Sequence, residues 1–343
     1  MNQNKIVFFC VGTGGHVLPV INLIDDLIQR GIEKRKIEVV TDRRGSQYFK
    51  DRDINVHSMN IYRSKIGIIG YVLSISKIIK SIQLIENKID LRNCKLLFTT
   101  GSYIAPLAGY ISWRHKIKFF IQEQNIYAGL GNKIASYFKS DKFTSYPNTI
   151  NINQTNLENT GPIVDKKIQK YISKNDEEIV IGVQGGSQGS EEINSLIYKY
   201  LSNNTLKNIK IIHIVGPNNF DKSKKYENYK QIEFIENMSD FYSSIDLQVS
   251  RAGGGVLEAV LLNIPLLLIP YKHGTTSTHQ SMNAEFLVKS KYAKLCLDYE
   301  SLDFEFKKLE QLNNNLFEKF SKNNVIKRGN DFIVNKIINE LDK

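Results

Sequence analysis

Six short runs in this 343-residue chain join glycines to side chains that can do chemistry. The first is Gly12-Thr13-Gly14-Gly15-His16. Adjacent glycines let a backbone approach a ligand closely, and Thr13 adds a hydroxyl. His16 falls where a helix would begin. An imidazole there can act as a general base, donate to phosphate, or merely cap the helix. The run is not a G-x-G-x-x-G fingerprint, since position 17 is valine, nor a P-loop, since no Gly-Lys-Ser/Thr follows. Gly101-Ser102-Tyr103 is a second glycine turn. Gln122-Glu123-Gln124-Asn125 sets four polar residues together, either as a ligand-binding strand end or as a solvated loop. Gly185-Gly186-Ser187-Gln188-Gly189-Ser190 is the best phosphate cradle in the chain, with amides, hydroxyls and a helix beyond them. In Ser250-Arg251-Ala252-Gly253-Gly254-Gly255-Val256-Leu257-Glu258, the carboxylate lies about one helical turn past three glycines and can accept from vicinal ribose hydroxyls. His279-Gln280-Ser281-Met282-Asn283-Ala284 offers polar groups near another helix start.

Such runs need rigid elements to aim them. Apolar runs at 5–11, 37–41, 56–59, 96–99 and 119–122 read as strands, and 17–30, 68–85 and 103–113 have helical spacing. The rhythm restarts beyond residue 160, with strands at 179–184, 209–215, 232–235, 247–250 and 266–269 and a helix at 193–201. Near-continuously apolar strands separated by helices predict parallel sheets covered on both faces. Two series predict two doubly wound domains, 1–160 and 161–323. A final helix over about 324–343 is expected to pack back on the first domain. Each series opens strand–glycine turn–helix, which places phosphate at a helix N-terminus.

Composition narrows the function classes. Hydrophobic residues are 41% and prolines number 7, which excludes a collagenous or disordered chain. No apolar run approaches the roughly 18 residues of a membrane span. Three widely spaced cysteines form neither a disulfide framework nor paired metal ligands, which predicts a reduced compartment. Net charge is +11, and residues 1–160 carry 22 Lys+Arg against 12 Asp+Glu, whereas 161–343 carry 24 against 23. A basic first half suits polyanions, yet no nucleic-acid module signature is present, so no nucleic-acid partner is expected. Asp51-Arg52-Asp53 spells DxD but reads as a solvated turn, and no metal or cofactor is expected.

Taken in order, the runs resemble the MurG family, which transfers N-acetylglucosamine from its UDP donor to undecaprenyl-pyrophosphoryl-muramyl-pentapeptide (lipid I). The family's Thr-Gly-Gly-His with a later proline is Thr13-Gly14-Gly15-His16 and Pro19. Its Glu-Gln-Asn is Glu123-Gln124-Asn125, followed by Gly129-Leu130 and Asn132. Its Gly-Gly-Ser-Gln-Gly is intact at 185–189, with Asn194 beyond. Its arginine turn is Arg251-Ala252-Gly253, then Glu258 and Pro265, and its His-Gln-x-x-Asn-Ala is intact at 279–284.

The resemblance implies a GT-B glycosyltransferase fold: two Rossmann-like domains with the active site in the cleft. It implies UDP-N-acetylglucosamine held by Ser187 and its glycines at the diphosphate, Ile235 at the uracil, Glu258 at the ribose and Gln280 at the sugar. Gly254, Gly255, Val256 and Leu257 complete the donor site, and Thr13, Gly14, Gly15 and Asn125 join it from the first domain. His16 is the implied catalytic base, and Gly101, Ser102 and Tyr103 the acceptor-pyrophosphate turn. The implied reaction is inverting and metal-independent, onto the C4 hydroxyl of the muramyl sugar, giving lipid II for peptidoglycan synthesis. Departures from the pattern are Asp165 for a donor-contacting arginine, Gln122 for a histidine, Ser102 for a glycine, and a stretch 251–258 shorter by one residue. The apolar segment 66–73, flanked by Arg63, Lys65, Lys77 and Lys80, suits either an anionic lipid interface or a buried helix. With the basic first half it predicts a peripheral protein at the cytoplasmic face of the inner membrane, within reach of a cell-wall synthesis complex. Rival readings are a transferase with another lipid or polysaccharide acceptor, a sugar-nucleotide epimerase, and a non-catalytic nucleotide-sugar-binding scaffold.

Overall fold

The structure, a computed structural model, describes residues 4–12, 14–61, 75–170, 178–272, 274–311 and 326–343. The chain forms two compact units, Met1–Asp165 with Arg328–Lys343, and Lys166–Lys327. The first contains β1 (Lys5–Phe9), α1 (Gly14–Gln29), β2 (Ile37–Thr41), β3 (Asn55–Ser58), α2 (Ile75–Lys88), β4 (Cys94–Thr99), α3 (Ala105–His115), β5 (Lys118–Glu123), α4 (Leu130–Ala135), β6 (Asp141–Thr144) and β7 (Leu157–Asn159). The second contains β8 (Ile179–Gln184), α5 (Glu191–Asn203), β9 (Ile209–Ile214), β10 (Tyr229–Ile232), α6 (Met238–Ser243), β11 (Leu247–Ser250), α7 (Val256–Leu261), β12 (Leu266–Leu268), α8 (Gly274–Lys289), β13 (Ala293–Leu295) and α9 (Tyr299–Gln311). The closing helix α10 (Asn330–Leu341) returns to the first unit.

Each unit has one parallel sheet, ordered β3-β2-β1-β4-β5-β6-β7 and β10-β9-β8-β11-β12-β13. Strand order reverses between β1 and β4, and again between β8 and β11. At such a switch point the connections leave in opposite directions and open a crevice at the carboxyl ends of the strands. Alternate side chains of β1 explain its continuous apolarity. Ile6 and Phe8 enter a core with Val20 and Ile24 of α1 and Ile333 and Ile337 of α10. Val7 and Phe9 enter the opposite core with Ile85 of α2 and Ile111 of α3. The second unit packs Ile181, Val183, Ile197, Tyr200, Val249 and Phe306 together.

Three strands have no counterpart in the sequence expectation. β6, β7 and β13 are short and polar-flanked, so they carry no apolar run. Lys142 on β6 is only 2% exposed and satisfies its ammonium on Ser140 O (2.9 Å) and Ser140 Oγ (3.3 Å). The strand expected at 232–235 lies at Tyr229–Ile232 instead. The apolar segment 66–73 lies outside the described residues. The first unit runs past Thr160 because its exit strand is tied down. Gly161 N donates to Thr144 O (3.0 Å). Asn330, fully buried, receives Val164 N (3.1 Å) and donates to Val164 O (2.9 Å) and Asp26 Oδ2 (2.7 Å). No described helix is long and apolar enough to cross a membrane.

Candidate active site

In the first unit, β1, β4 and β5 deliver their predicted runs side by side. Gly12 has φ +93°, which turns the chain into α1 directly. Thr13 lies outside the described residues. Gly14 is buried, Gly15 is exposed with open space around it, and His16 is half-buried. His16 Nδ1 meets Thr100 O at 2.9 Å, and Thr100 Oγ1 donates back to His16 O at 2.6 Å. A carbonyl oxygen only accepts, so Nδ1 carries the ring proton. Nε2 is left as the basic nitrogen, with no partner among the described residues. The turn after β4 has Gly101 at φ +106° and Ser102 at φ +67°. A Cβ on Gly101 would fall 2.9 Å from Asn132 Nδ2, so that turn rests on α4.

Glu123 organises the third run. It is 3% exposed. Its Oε1 accepts from Asn125 N (2.9 Å) and Nδ2 (3.0 Å), and its Oε2 from Gly129 N (3.2 Å) and Asn132 Nδ2 (2.9 Å). Gln124 Nε2 donates to Gly15 O at 2.5 Å, joining the β5 run to the first glycine turn. Gln122 is buried and donates to Ser145 Oγ at 2.9 Å.

A residue outside every motif joins these turns. Asp42, just past β2, accepts Gly12 N (3.0 Å) and Gly45 N (2.8 Å) on Oδ1, and Tyr103 Oη (3.0 Å) and the Arg44 guanidinium on Oδ2. Burial pushes its carboxyl upward, but these hydrogen bonds outweigh burial and hold it below the usual carboxylate range. Burial, then the Asp42 charge, pushes the Tyr103 phenol up. The only sequence signal for Asp42 is a carboxylate at a strand's carboxyl end.

In the second unit, the 185–190 run leaves β8 with Gly186 at φ +90° and Gly189 at φ +74°. A Cβ on Gly189 would fall 2.0 Å from Val215 O, so the loop lies flush against the end of β9. Ser187 is exposed, and Ser190 caps α5 by accepting Ile193 N at 3.4 Å. Glu191 and Glu192 in the first turn suit the helix dipole but oppose a bound diphosphate. Arg251, after β11, offsets this. Its Nη2 donates to Ser190 Oγ and Glu192 Oε2, both at 2.7 Å, and its Nη1 to Ile269 O at 3.0 Å.

Glu258 lies in the first turn of α7, where Tyr242 Oη donates to its Oε2 at 2.7 Å. Burial, then this carboxylate, drives the Tyr242 phenol well above its ordinary value. Gln280 Oε1 accepts Tyr271 N at 2.8 Å, which identifies the other amide atom, Nε2, as a donor. Gly255 is exposed and Gly254 half-buried. Val256 (2% exposed) and Leu257 (1%) bury their side chains in the core, so only main-chain atoms of these two can face a ligand. Ile235 is half-buried beyond β10, with β9 standing between β10 and β8.

Two buried side chains support these turns: Asn283 lies within the sixth run, and His213 lies outside every motif. Asn283, fully buried, donates to Ala252 O at 3.0 Å and fixes the arginine turn. His213, also fully buried, places Nε2 3.0 Å from Asn194 Oδ1 and Nδ1 3.0 Å from Tyr229 Oη. Burial pushes its imidazole down to about 3, so it is neutral. An amide oxygen only accepts, so Nε2 carries the proton and Tyr229 donates to Nδ1. Asn194 Nδ2 then holds Val215 O at 3.1 Å, the carbonyl on which Gly189 sits. Asp53 of the DxD run is 94% exposed and pairs with Lys34 at 3.5 Å.

Comparison with known proteins identifies the family. A protein of Bacillus cereus, "UDP-N-acetylglucosamine--N-acetylmuramyl-(pentapeptide) pyrophosphoryl-undecaprenol N-acetylglucosamine transferase 3", is 28% identical over 365 residues and covers 99% of each chain. A Staphylococcus carnosus transferase of the same description, without the numeral, is 29% identical over 312 residues, covering 85% of this chain and 84% of its own. The crystal structure of Acinetobacter baumannii MurG superposes with a TM-score of 0.77 at 23% identity over 98% of this chain and 99% of that one, which establishes the shared fold. Residues 6–143 match the glycosyltransferase family 28 N-terminal domain, and residues 180–339 match its C-terminal domain. With both domains of that enzyme family present in order, the chain belongs to glycosyltransferase family 28.

Proposed function

We propose that this chain transfers N-acetylglucosamine from UDP-N-acetylglucosamine to the C4 hydroxyl of the muramyl sugar of lipid I, by a single inverting displacement that needs no metal. The observation that carries the transfer chemistry is His16, whose Nδ1 is committed to Thr100 O so that Nε2 is the base. The substrates follow from relatives of that name that match the chain end to end. In this reading His16 Nε2 takes the acceptor hydroxyl's proton as that oxygen attacks the anomeric carbon and the bond to UDP breaks. Ser187 and the glycine amides of the 185–190 turn take up the charge growing on the leaving diphosphate. Glu258, steadied by Tyr242, receives the ribose hydroxyls, and the Gln280 amide donates to the sugar. Ile235 is assigned to the uracil, main-chain atoms of Gly254 to Leu257 to the nucleotide, and Gly14, Gly15 and Asn125 to the donor sugar. Gly101, Ser102 and Tyr103 are assigned to the acceptor pyrophosphate.

The test is transfer of labelled N-acetylglucosamine to a short-chain lipid I analogue, with and without EDTA. Product formed equally in both supports the reaction and its metal independence. Absence of product alongside saturable UDP-N-acetylglucosamine binding overturns the acceptor. Asp165, in place of the family's arginine, favours another acceptor in that event.

The same reading places the chain on an anionic membrane surface. Around α2 and α3, Ile79 is 48% exposed and Trp113 64%, with Lys80, Arg114 and Lys116 beside them in sequence. Amphipathic aromatic rings with flanking cations suit a headgroup layer. Flotation with vesicles should depend on anionic lipid and on Trp113. Flotation indifferent to lipid charge overturns the placement.

A further inference from the structure

Arg44 has more donors than its fold position uses. It directs Nε (3.3 Å) and Nη2 (3.1 Å) to the same oxygen, Asp42 Oδ2. A guanidinium carries five N–H donors, more than Asp42 Oδ2 and the adjoining Tyr103 hydroxyl can take up. Asp42 does not depend on it, because two backbone amides and the Tyr103 hydroxyl already hold that carboxylate. The Arg44 side chain is 53% exposed, and ion pairs this exposed contribute little to stability.

Its placement is specific. A Cβ on Gly12 would stand 3.6 Å from Arg44 Nη2, and a Cβ on Gly14 would stand 3.6 Å from Tyr48 Oη. Both side chains come from the short segment after β2, so one segment sets a guanidinium beside Gly12 and a phenol beside Gly14. The Tyr48 hydroxyl bonds to nothing among the described residues. The carboxylate in contact, Asp42, is saturated by its donors. The exposed groups beside this turn are therefore donors and positive charge, in the half of the chain whose net charge is +10.

We propose that Arg44, with Tyr48 beside it, binds the diphosphate of the acceptor and so helps set acceptor specificity. Guanidinium forks match phosphate oxygens geometrically, and Arg44 shares Asp42 Oδ2 with Tyr103, a residue of the turn assigned to the acceptor pyrophosphate. The proposal rests on the acceptor reading above. It adds side chains from the end of β2 that none of the motifs contains.

The experiment measures binding of inorganic pyrophosphate to the full chain by calorimetry, with UDP present in excess to fill any nucleotide-diphosphate site. Wild type is compared with Arg44→Ala, Arg44→Lys and Arg43→Ala. Arg43 is an adjacent, exposed arginine that serves as the charge control. Expected is about a tenfold loss of affinity in Arg44→Ala, an intermediate loss in Arg44→Lys, and little change in Arg43→Ala, with melting temperatures close to wild type. Equal losses in Arg44→Ala and Arg43→Ala would reduce the effect to diffuse charge and overturn the proposal, as would unchanged binding in Arg44→Ala. Pyrophosphate binding requires no turnover. A chain that fails to glycosylate lipid I yet shows the Arg44-dependent affinity would refute the reaction and keep the anion site.

Discussion

Thr100 fixes both the ring tautomer and the backbone carbonyl of His16, the base of the proposed reaction. His16→Ala should lower kcat by about 10²–10⁴-fold, the usual scale of a lost general base, with little change in melting temperature. His16→Gln should do the same, since an amide can replace the hydrogen bond but not the basicity. Near-wild-type turnover in either variant would remove His16 as the base. Arg251 supports a second prediction of a different kind. It neutralises Glu192 and steadies the Ser190 cap beside the 185–190 turn. Arg251→Gln should raise the donor KM by about tenfold, and Glu192→Gln in the same chain should recover part of that loss by removing the opposing charge. A double variant no better than the single one would show that Arg251 acts otherwise. Glycines, His16 and Glu258 were legible because each follows an apolar strand within a few residues. Asp42 was not, and Arg251 was legible only as part of its turn, without its partners. The partners Tyr103 of Asp42 and Ser190 of Arg251 each stand 61 residues away in the chain, and only the strand order brings these pairs together.

Elements tell the same story at longer range. Glycine turns at the ends of β1 and β8 could be read as strand–turn–helix because local chemistry decides them. β6 could not, because a lysine is its second residue and its burial depends on Ser140. The return of α10 to the first unit passes through a close backbone crossing. Gly329 N donates to Pro162 O (2.9 Å), and a Cβ on Gly329 would fall 2.5 Å from Gly161 O. Backbone meets backbone there, so no side chain can relax out of the way. Gly329→Ala should therefore destabilise the first unit although alanine favours helices in general. Asn330→Ala removes bonds to Val164 and Asp26 and leaves a buried carboxylate short of a donor, at a cost of about 2–4 kcal/mol. Urea unfolding checks both. A midpoint within error of wild type would mean that α10 is held by its apolar face alone.

At the scale of the whole molecule, acid should separate the two units. His213 has an ordinary imidazole value of 6.5 when unfolded and about 3 when buried, so the unfolded chain binds the extra proton first. Its contribution to stability is complete above about pH 6.5 and is lost as pH falls from there toward 3. That loss belongs to the second unit, where His213 fixes the loop-bearing end of β9. The first unit carries the opposite kind of group. Burial raises the Glu38 carboxyl, but hydrogen bonds and charge from His57 and Lys5 outweigh it and hold it below the ordinary carboxylate value. Asp42 is held low as well. Their stabilisation survives until pH drops through the ordinary carboxylate range near 4 and disappears below it. Hydrogen exchange read by peptide, corrected for intrinsic rates, should then lose protection in β8, β9 and α5 between about pH 6.5 and 4.5, while β1 and β2 stay protected. Below about pH 4 the first unit should follow. His213→Gln should delay the early loss without moving the later one. Simultaneous loss in both units, or loss in β1 and β2 first, would show that the buried imidazole does not govern the acid response of the second unit.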